Sequence, residues 1–530
     1  MRTVAAKAKL TNELLVYALL ILASLPARLV AMRASIWTDE AWVANSILAP
    51  SWKEMFYYPG WVQVSPSLFL VLSRLLTKVF GPSEPALRLL PLFAGLLAIP
   101  VLAAALRKLF SPAAALCGTS LVIVNMWAAK YAQQVKQYGS DLFSSALLCL
   151  LITRYCQRPD RRNFTLLVGG FFIISFLANT ALFMGPAVIA AVVLGPFWQL
   201  PSYRHGRRSI LTITSVMVCV AINYLVFIRP NRGQNLVESW AMNCLNPSHP
   251  LASARALFNN LVALLVPQQF PVMFYLGAAM VLTVVAGAVI ALIGSARGSK
   301  RDVVVLLLGP LPLAAAIAAS LLGQYPLLSF PRILLWTLPA CATLLAATLD
   351  LLLNILRQRL AWVNESPVFY GTAAACFFLV LVLNFGVMRY PRPNERNSQA
   401  MRLLRQSMGP SDVLLVHRRM LEQYDYYSRL QGWAAPRIYV GNTDWPCCPR
   451  NGPTVFIDPI ESYITDLRQA AALIERPGIV WMFLPSGQRG HSESLRPKIV
   501  ATPSLMQLQS CYEIRREGFD QSLVLAYQCR

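Results

Sequence analysis

Two adjacent carboxylates, Asp39 and Glu40, follow the first long apolar run of the chain, in the segment SIWTDEAWVANSIL. A carboxylate at a membrane surface can act as a general base, and a second one beside it can bind a divalent metal ion or a substrate hydroxyl. The same residues also have a structural interpretation, because Thr38 or Asp39 would cap a helix AWVANSIL. Trp37 and Trp42 flank the pair, which suits either an interfacial aromatic belt or a platform for stacking a sugar ring.

A second polar group lies between two apolar runs, in residues 126–141, MWAAKYAQQVKQYGSD. Its polar side chains are Lys130, Tyr131, Gln133, Gln134, Lys136 and Tyr138. Cations beside a bilayer need an anionic partner, and both a lipid-linked phosphate and an anionic lipid headgroup qualify. Arg88 and Arg332 each begin an apolar run, where an arginine serves either as an interfacial anchor or as a further phosphate ligand.

Composition indicates what kind of scaffold must position these residues. Of the 530 residues 56% are hydrophobic and 13% charged, and the mean hydropathy is +0.50. Soluble domains carry about 25% charged residues, so a soluble cytosolic enzyme and a disordered chain are both excluded. The net charge of +23 would suit a nucleic-acid-binding protein. However, the charges lie between long apolar runs, which is typical of a polytopic membrane protein in contact with lipid and not with nucleic acid.

The hydropathy pattern predicts eleven transmembrane helices, each needing roughly 17–25 residues. The predicted spans are 12–32, 85–106, 111–129, 139–155, 164–180, 181–199, 209–228, 272–295, 303–322, 332–353 and 367–388. The run 65–80 has Arg74 and Lys78 on one helical face and is predicted to lie flat in the interface. That assignment places the arginine-rich segments 154–162 and 204–208 in the cytoplasm, with the N-terminus inside and the C-terminus outside.

This topology divides the chain into a transmembrane domain, 1–388, and a soluble α/β domain, 389–530. Two large outer loops, 33–84 and 229–271, belong to the first domain. In the second domain, strands are predicted at DVLLVHR, RIYVG, TVFID, IVWMFL, LQSCYEI and SLVLAYQC, and helices at 397–408, 417–430 and 461–475. Disulfides among Cys447, Cys448, Cys511 and Cys529 are a hypothesis for an oxidising compartment.

The order of these motifs resembles the bacterial glycosyltransferase family 39, whose relatives are the protein O-mannosyltransferases and the lipid A aminoarabinose transferase. The motifs are DE, SPSLF, FGPSEPALRLLPLFAGLLAIPVLAAALRKLF and YAQQVKQYGSDL, over about residues 30–155. The resemblance implies a GT-C fold in a bacterial inner membrane, with a periplasmic C-terminal domain. It also implies an inverting transfer of one sugar from a polyprenyl-phosphate donor to lipid A or its core, a cell-surface polysaccharide or a protein.

The resemblance assigns roles to the matching positions. Asp39 would be the general base, and Glu40 would support it or bind a divalent metal ion (Mg, Mn or Zn). Lys136 stands where the family has arginine, and Lys130, Lys136, Arg332 and Arg88 would bind the donor phosphate. The residues expected to contact substrate are Trp37, Ser65, Tyr131, Gln133 and Tyr138.

Two departures from the family pattern affect these assignments. Ser65 replaces the histidine of a His-Pro-Pro-Leu-Tyr segment, and Lys136 cannot reproduce the bidentate fork of arginine on a phosphate. They leave the donor and the metal requirement open. His249, in NPSHP of the second outer loop, is either a substitute metal ligand or a solvated loop histidine.

Two other functions are compatible with the pattern. A transporter or flippase of lipid-linked sugars would show repeats and charges at the membrane midplane, whereas here the charges lie at the surfaces. A degenerate, non-catalytic lipid-binding subunit would explain the lost histidine and the changed arginine. Retention of the Asp39-Glu40 pair argues against this degenerate subunit.

Overall fold

The computed structural model is mostly helical, with one five-stranded sheet. It describes residues 2–57, 64–195, 197–198, 202–231, 240–266, 271–360, 365–389, 397–416, 420–440, 479–485, 511–519 and 522–529. The chain forms two compact units. The first contains Met1–Met32, Phe56–Leu76 and Arg88–Tyr390, and the second contains Arg33–Met55, Thr77–Leu87 and Pro391–Arg530.

The helices up to residue 389 begin and end as follows. They are α1 Arg2–Leu29, α2 Thr38–Ile47, α3 Trp52–Phe56, α4 Ser67–Phe80, α5 Glu84–Leu106, α6 Pro112–Ile123, α7 Met126–Tyr131, α8 Tyr138–Gln157, α9 Arg161–Leu177, α10 Gly185–Val193, α11 Ser202–Ile222, α12 Pro250–Leu265, α13 Pro271–Ala296, α14 Lys300–Leu308, α15 Pro310–Leu321, α16 Leu338–Arg359 and α17 Glu365–Arg389. Helix α11 continues as a π-helix, Asn223–Ile228, and 3-10 helices at Asn179–Met184 and Pro331–Thr337 precede α10 and α16.

Seven helical stretches of the described chain are long and apolar enough to cross a membrane. They are Thr11–Leu29, Glu84–Leu106, His205–Asn231, Pro271–Ala296, Lys300–Leu321, Pro331–Arg359 and Glu365–Gly386. The chain is therefore a multi-pass membrane protein, as its composition predicts. The four other predicted spans fall on shorter or less apolar helices, namely α6, α8, α9 and α10. The count of eleven spans stays a prediction.

The span predicted at 111–129 differs from the structure. Helix α6 ends at Ile123, and a new short helix, α7, begins at Met126. Asn125 causes the restart, because its side chain accepts a hydrogen bond from the amide of Ala128 (2.9 Å) and donates one to the carbonyl of Leu264 (2.8 Å). The apolar residues on both sides of Asn125 conceal this break from a hydropathy analysis.

The predicted helix at 65–80 is confirmed as α4, Ser67–Phe80. One side of it is buried at Phe69 and Leu70, while Val79 is 73% exposed. This two-sided pattern is typical of an interfacial helix. Its orientation to the bilayer stays a prediction.

Small residues allow the membrane helices to approach closely, as is usual in apolar bundles. At Gly118 of α6, an added Cβ would lie 2.7 Å from the carbonyl oxygen of Ala342 in α16. At Gly287 of α13, the added Cβ would meet the carbonyl oxygen of Leu344. The core of the first unit therefore depends on backbone-to-backbone contacts around α16.

The second unit contains the helices and strands from residue 397 onward. The predicted domain boundary at residue 388 and the solubility of the C-terminal domain stay predictions. Its further elements are α18 Asn397–Ser407, α19 Leu421–Gln431, β1 Val413–Val416, β2 Ile438–Val440, β3 Ile479–Pro485, β4 Cys511–Phe519 and β5 Ser522–Cys529. The strand order is β2-β1-β3-β5-β4, with β1 parallel to β2 and β3, and β5 antiparallel to β3 and β4.

Five of the six predicted strands and two of the three predicted helices of this domain are confirmed. The predicted strand TVFID and the predicted helix 461–475 lie outside the described residues, as do Cys447 and Cys448. The β4–β5 register places the backbone of Cys511 opposite that of Cys529. The disulfides stay a prediction.

Candidate active site

The carboxylate pair lies in the first turn of helix α2, in the second unit. The N-cap is Trp37, in extended conformation (φ −96°, ψ 172°), and no side chain caps the helix. The prediction that Thr38 or Asp39 caps the helix is therefore wrong. The hydroxyl of Thr38 instead accepts a hydrogen bond from Nε2 of Gln423 (2.8 Å). The hydroxyl predicted to cap the helix is thus bonded to a residue 385 positions away along the chain.

The two carboxylates differ in exposure. Glu40 is completely buried, whereas Asp39 is half-buried. Both lie where the positive end of the helix dipole stabilises negative charge. Of the pair, Asp39 has the exposure that a general base needs to reach a substrate, and Glu40 has the burial of a supporting group.

The cations of the second polar group lie in the first unit, around helix α7. Nζ of Lys130 is 5.1 Å from the centroid of the Trp127 ring and 5.8 Å from that of Tyr131. Aromatic faces stabilise an ammonium group without neutralising its charge. Nε1 of Trp127 donates to the carbonyl of Ala263 (2.7 Å), which holds the ring in place.

A further predicted residue, Tyr138, adjoins this aromatic group. Tyr131 and Tyr138 pack edge to face, with ring centroids 4.9 Å apart. Lys136 lies between them in sequence and is only 8% exposed, which is rare for lysine. Arg332 lies in the 3-10 helix Pro331–Thr337, which packs against α7, and its guanidinium is 5.1 Å from the ring centroid of Phe330. The structure therefore brings the elements that carry Lys130 and Arg332 together.

Gln133 and Arg88 have backbone partners at the end of helix α1. The amide group of Gln133 donates to the carbonyl of Ala27 (2.7 Å) and accepts from the amide of Ala31 (2.6 Å). Arg88 is fully buried, and its Nη1 donates to the carbonyls of Ala31 (3.0 Å) and Met32 (3.1 Å). These contacts shape the chain just before the carboxylate pair. The predicted contacts of Gln133 with substrate and of Arg88 with phosphate stay predictions.

Sequence analysis did not single out one buried carboxylate, Asp141, which lies three residues after Tyr138. Oδ1 of Asp141, in α8, accepts a hydrogen bond from the hydroxyl of Thr180 (2.7 Å). The hydroxyl of Tyr325 accepts from Nε1 of Trp336 (3.0 Å) and donates to the carbonyl of Ile333 (2.7 Å). Burial raises the pKa of Tyr325 well above its usual value, and the negative charge of Asp141 acts in the same direction. In the sequence, the sign of this cluster is an acidic residue, Asp141, at the start of an apolar run. The other residues come from three separate segments, so no local motif contains the cluster.

The remaining predicted residues have less defined surroundings. Ser65 is half-buried in the loop before α4, and His249 is exposed at the start of α12. Among the described residues, no group of three or more His, Cys, Asp and Glu side chains has the geometry to hold a metal ion. The predicted ligands Glu40 and His249 thus do not belong to such a group.

No protein-family model and no curated protein sequence matches the chain. Solved structures match it over most of its length. ArnT from Cupriavidus metallidurans bound to undecaprenyl phosphate has a TM-score of 0.53 at 14% identity, covering 98% of both chains, and its apo form has a TM-score of 0.52. The Archaeoglobus fulgidus oligosaccharyltransferase in complex with Zn and sulfate has a TM-score of 0.51 at 15% identity, covering 88% of this chain and 67% of that one. Both are glycosyltransferases of the GT-C class.

The chain has the GT-C fold. The fold class predicted from the sequence is thereby confirmed, including a helical membrane part and a small α/β part. At these identities the likeness establishes the GT-C architecture, and the chemistry must be argued from the side chains.

Proposed function

We propose that the chain is an integral membrane glycosyltransferase that moves one sugar from a polyprenyl-phosphate donor to an acceptor. One observation carries the proposal: in a chain with the GT-C fold, Asp39 and Glu40 occupy the first turn of the helix that follows the first apolar helix. The match to a structure bound to undecaprenyl phosphate supports a lipid-linked donor. Lipid A or its core, a cell-surface polysaccharide and a protein are the candidate acceptors.

In the proposed reaction, Asp39 takes the proton from the acceptor hydroxyl as its oxygen attacks the anomeric carbon of the sugar. The bond between that carbon and the phosphate oxygen breaks, and its electron pair leaves with the phosphate. Attack opposite the leaving group inverts the anomeric configuration. A phosphate leaves without protonation, so no general acid is required.

Cations would stabilise the charge that develops on the leaving phosphate. Lys130 and Arg332 are candidates because α7 and the 3-10 helix carrying Arg332 are in contact. Lys136, five residues after α7, is a candidate because it is a buried cation. The half-buried or buried state of these side chains limits the screening of their charge by water. The steps above are assigned to side chains of the chain itself, and binding of a divalent metal ion by Glu40 stays a prediction.

The proposed location is a bacterial inner membrane, with the acceptor and the C-terminal domain on the periplasmic side. A lipid-linked donor is anchored in the bilayer, and the charge distribution of the loops favours a cytoplasmic N-terminus. The polyprenyl-phosphate sugar, the acceptor and the membrane lipids are then the partners of the chain.

Native mass spectrometry of the detergent-purified protein tests this proposal. We expect the wild type to carry polyprenyl phosphate, and Asp39→Asn to carry a larger share of the sugar-loaded lipid because turnover stops. Glu54→Gln is the matched control, since Glu54 also lies in the first turn of a helix, α3, and its carboxylate accepts a hydrogen bond from the nearby Ser51 (3.1 Å). It should leave the ratio of the two lipids unchanged.

A second pair of variants tests the phosphate site. Lys136→Met should lose the bound lipid, and Lys300→Met, which changes an exposed lysine of α14, should retain it. Absence of any polyprenyl lipid from the wild type, even after addition of undecaprenyl phosphate, would contradict the proposed function. Equal sugar loading in the wild type and Asp39→Asn would reject Asp39 as the base.

A further inference from the structure

The segment that leads into the carboxylate pair is fixed by the C-terminal domain, within the second unit. Ile36 is completely buried, three residues before Asp39. Its amide donates a hydrogen bond to the hydroxyl of Tyr427 in α19 (2.8 Å). Its carbonyl accepts one from Nδ2 of Asn397, the first residue of α18 (3.2 Å). Both polar groups of this residue are therefore held by side chains about 360 to 390 positions away.

Helix α2 itself has further contacts with α19. Gln423 donates to the hydroxyl of Thr38 at one end of α2 (2.8 Å). Asn45, two turns later, donates to the carbonyl of Glu422 (3.0 Å). These bonds join side chains of one helix to both the side chains and the backbone of the other, so they constrain sliding as well as separation.

We propose that Tyr427 and Asn397 are positioning residues for the transfer reaction. They immobilise the peptide groups of Ile36, and thereby fix the start of α2, whose first turn carries Asp39 and Glu40. The proposal rests on the proposed function, in which Asp39 is the general base. A base must be held close to the proton it removes, and a displacement of about 1 Å can lower a rate 100-fold.

This assignment gives the C-terminal domain a part in catalysis although it supplies no reacting group. The bonds from Tyr427 and Asn397 reach the backbone of Ile36. We therefore expect their removal to affect the orientation of the carboxylates and not the affinity for the donor. A purely structural role would instead lower the amount of folded protein and leave the turnover of each folded molecule unchanged.

The chain contains a matched control for this distinction. Tyr424 lies one turn before Tyr427 on the same helix, and both rings are buried. The hydroxyl of Tyr424 accepts a hydrogen bond from the amide of Ala435 (2.9 Å), within the C-terminal domain itself. Tyr424→Phe and Tyr427→Phe thus each remove one buried hydroxyl that accepts from a backbone amide, and the amide belongs to the segment before α2 in the case of Tyr427.

The first readout is steady-state transfer by the full-length enzyme, with the donor identified by mass spectrometry. For Tyr427→Phe we expect kcat to fall about 10-fold with an unchanged KM for the donor. Asn397→Leu should do the same. Tyr424→Phe should retain kcat within about two-fold. Equal kcat in Tyr427→Phe and Tyr424→Phe would overturn the positioning role.

The second readout does not depend on activity. Hydrogen exchange of the amides of residues 34–41 should be faster in Tyr427→Phe than in the wild type, and unchanged in Tyr424→Phe. Unchanged exchange in Tyr427→Phe would reject the positioning role whatever the enzyme does. Full activity of Asp39→Asn would reject the proposed base, and the exchange result would still report on the contact. The two failures can therefore be told apart.

Discussion

Gln133 satisfies three backbone groups at once, since it also donates to the carbonyl of Ala129 (3.1 Å) besides its bonds with Ala27 and Ala31. We expect Gln133→Ala to lower the free energy of unfolding by about 1–3 kcal/mol, because the buried amide of Ala31 loses its partner. Thermal unfolding in detergent measures this. Gln157→Ala is the control, since Gln157 is exposed and makes one bond, to the carbonyl of Lys108 (2.8 Å).

The control variant should change the free energy of unfolding by less than about 0.5 kcal/mol. Equal stability of Gln133→Ala and Gln157→Ala would show that water replaces the lost bonds. In that case the end of α1 would be held by Arg88 and by the helix itself.

At the scale of the residue, the sequence predicts the carboxylate pair and the cations because their types and neighbours are local information. It cannot predict which side chains hold them. Thr38 is a residue type that commonly caps helices, yet its hydroxyl accepts a hydrogen bond from Gln423. Ile36 is an ordinary apolar residue, yet Tyr427 and Asn397 bond to its backbone. Contacts across more than 350 positions leave no pattern in a single sequence.

At the scale of the element, the close approach of α13 and α16 gives a specific prediction. We expect Gly287→Ala to destabilise the protein by about 1–3 kcal/mol, because the new Cβ would meet the carbonyl of Leu344 and force the helices apart. Gly371→Ala is the matched control: Gly371 lies within α17, and an added Cβ there meets nothing within 4 Å.

The control should be neutral, or stabilising by up to about 1 kcal/mol, because alanine favours the helix over glycine. Unfolding of both variants in the same detergent gives the comparison. A Gly287→Ala protein as stable as Gly371→Ala would mean that the two helices separate without loss of packing.

Helices are the part of the fold that the sequence predicts best, because an apolar run of about 20 residues is typical of a membrane-spanning helix. All eleven predicted spans fall on helices. The breaks within them are harder to predict. The start of α7 depends on a single capping asparagine, α11 ends in a π-helical turn, and a 3-10 helix precedes α16. These features arise from packing against neighbouring helices and leave mean hydropathy unchanged.

At the scale of the whole molecule, the charge distribution determines the predicted orientation. The chain from residue 389 carries 18 basic and 13 acidic residues, so 18 of the 23 net positive charges lie in the membrane part. If helix α4 crossed the bilayer, the arginine-rich segments 154–162 and 204–208 would face outward, against the usual enrichment of Lys and Arg in cytoplasmic loops. A flat α4 places them inside.

Labelling of single added cysteines with an impermeant maleimide in intact spheroplasts distinguishes the two arrangements. Arg158→Cys and Arg297→Cys change exposed residues, and both should react only after the membrane is permeabilised. Ser248→Cys, also exposed, should react in intact spheroplasts, and the parent protein supplies the background of native thiols. Reaction of Arg158→Cys from outside would show that α4 crosses the membrane. Asp39 and Glu40 precede α4 in the chain, so a crossing α4 would not change their side of the membrane. Their predicted outer location would then depend only on the orientation of the N-terminus.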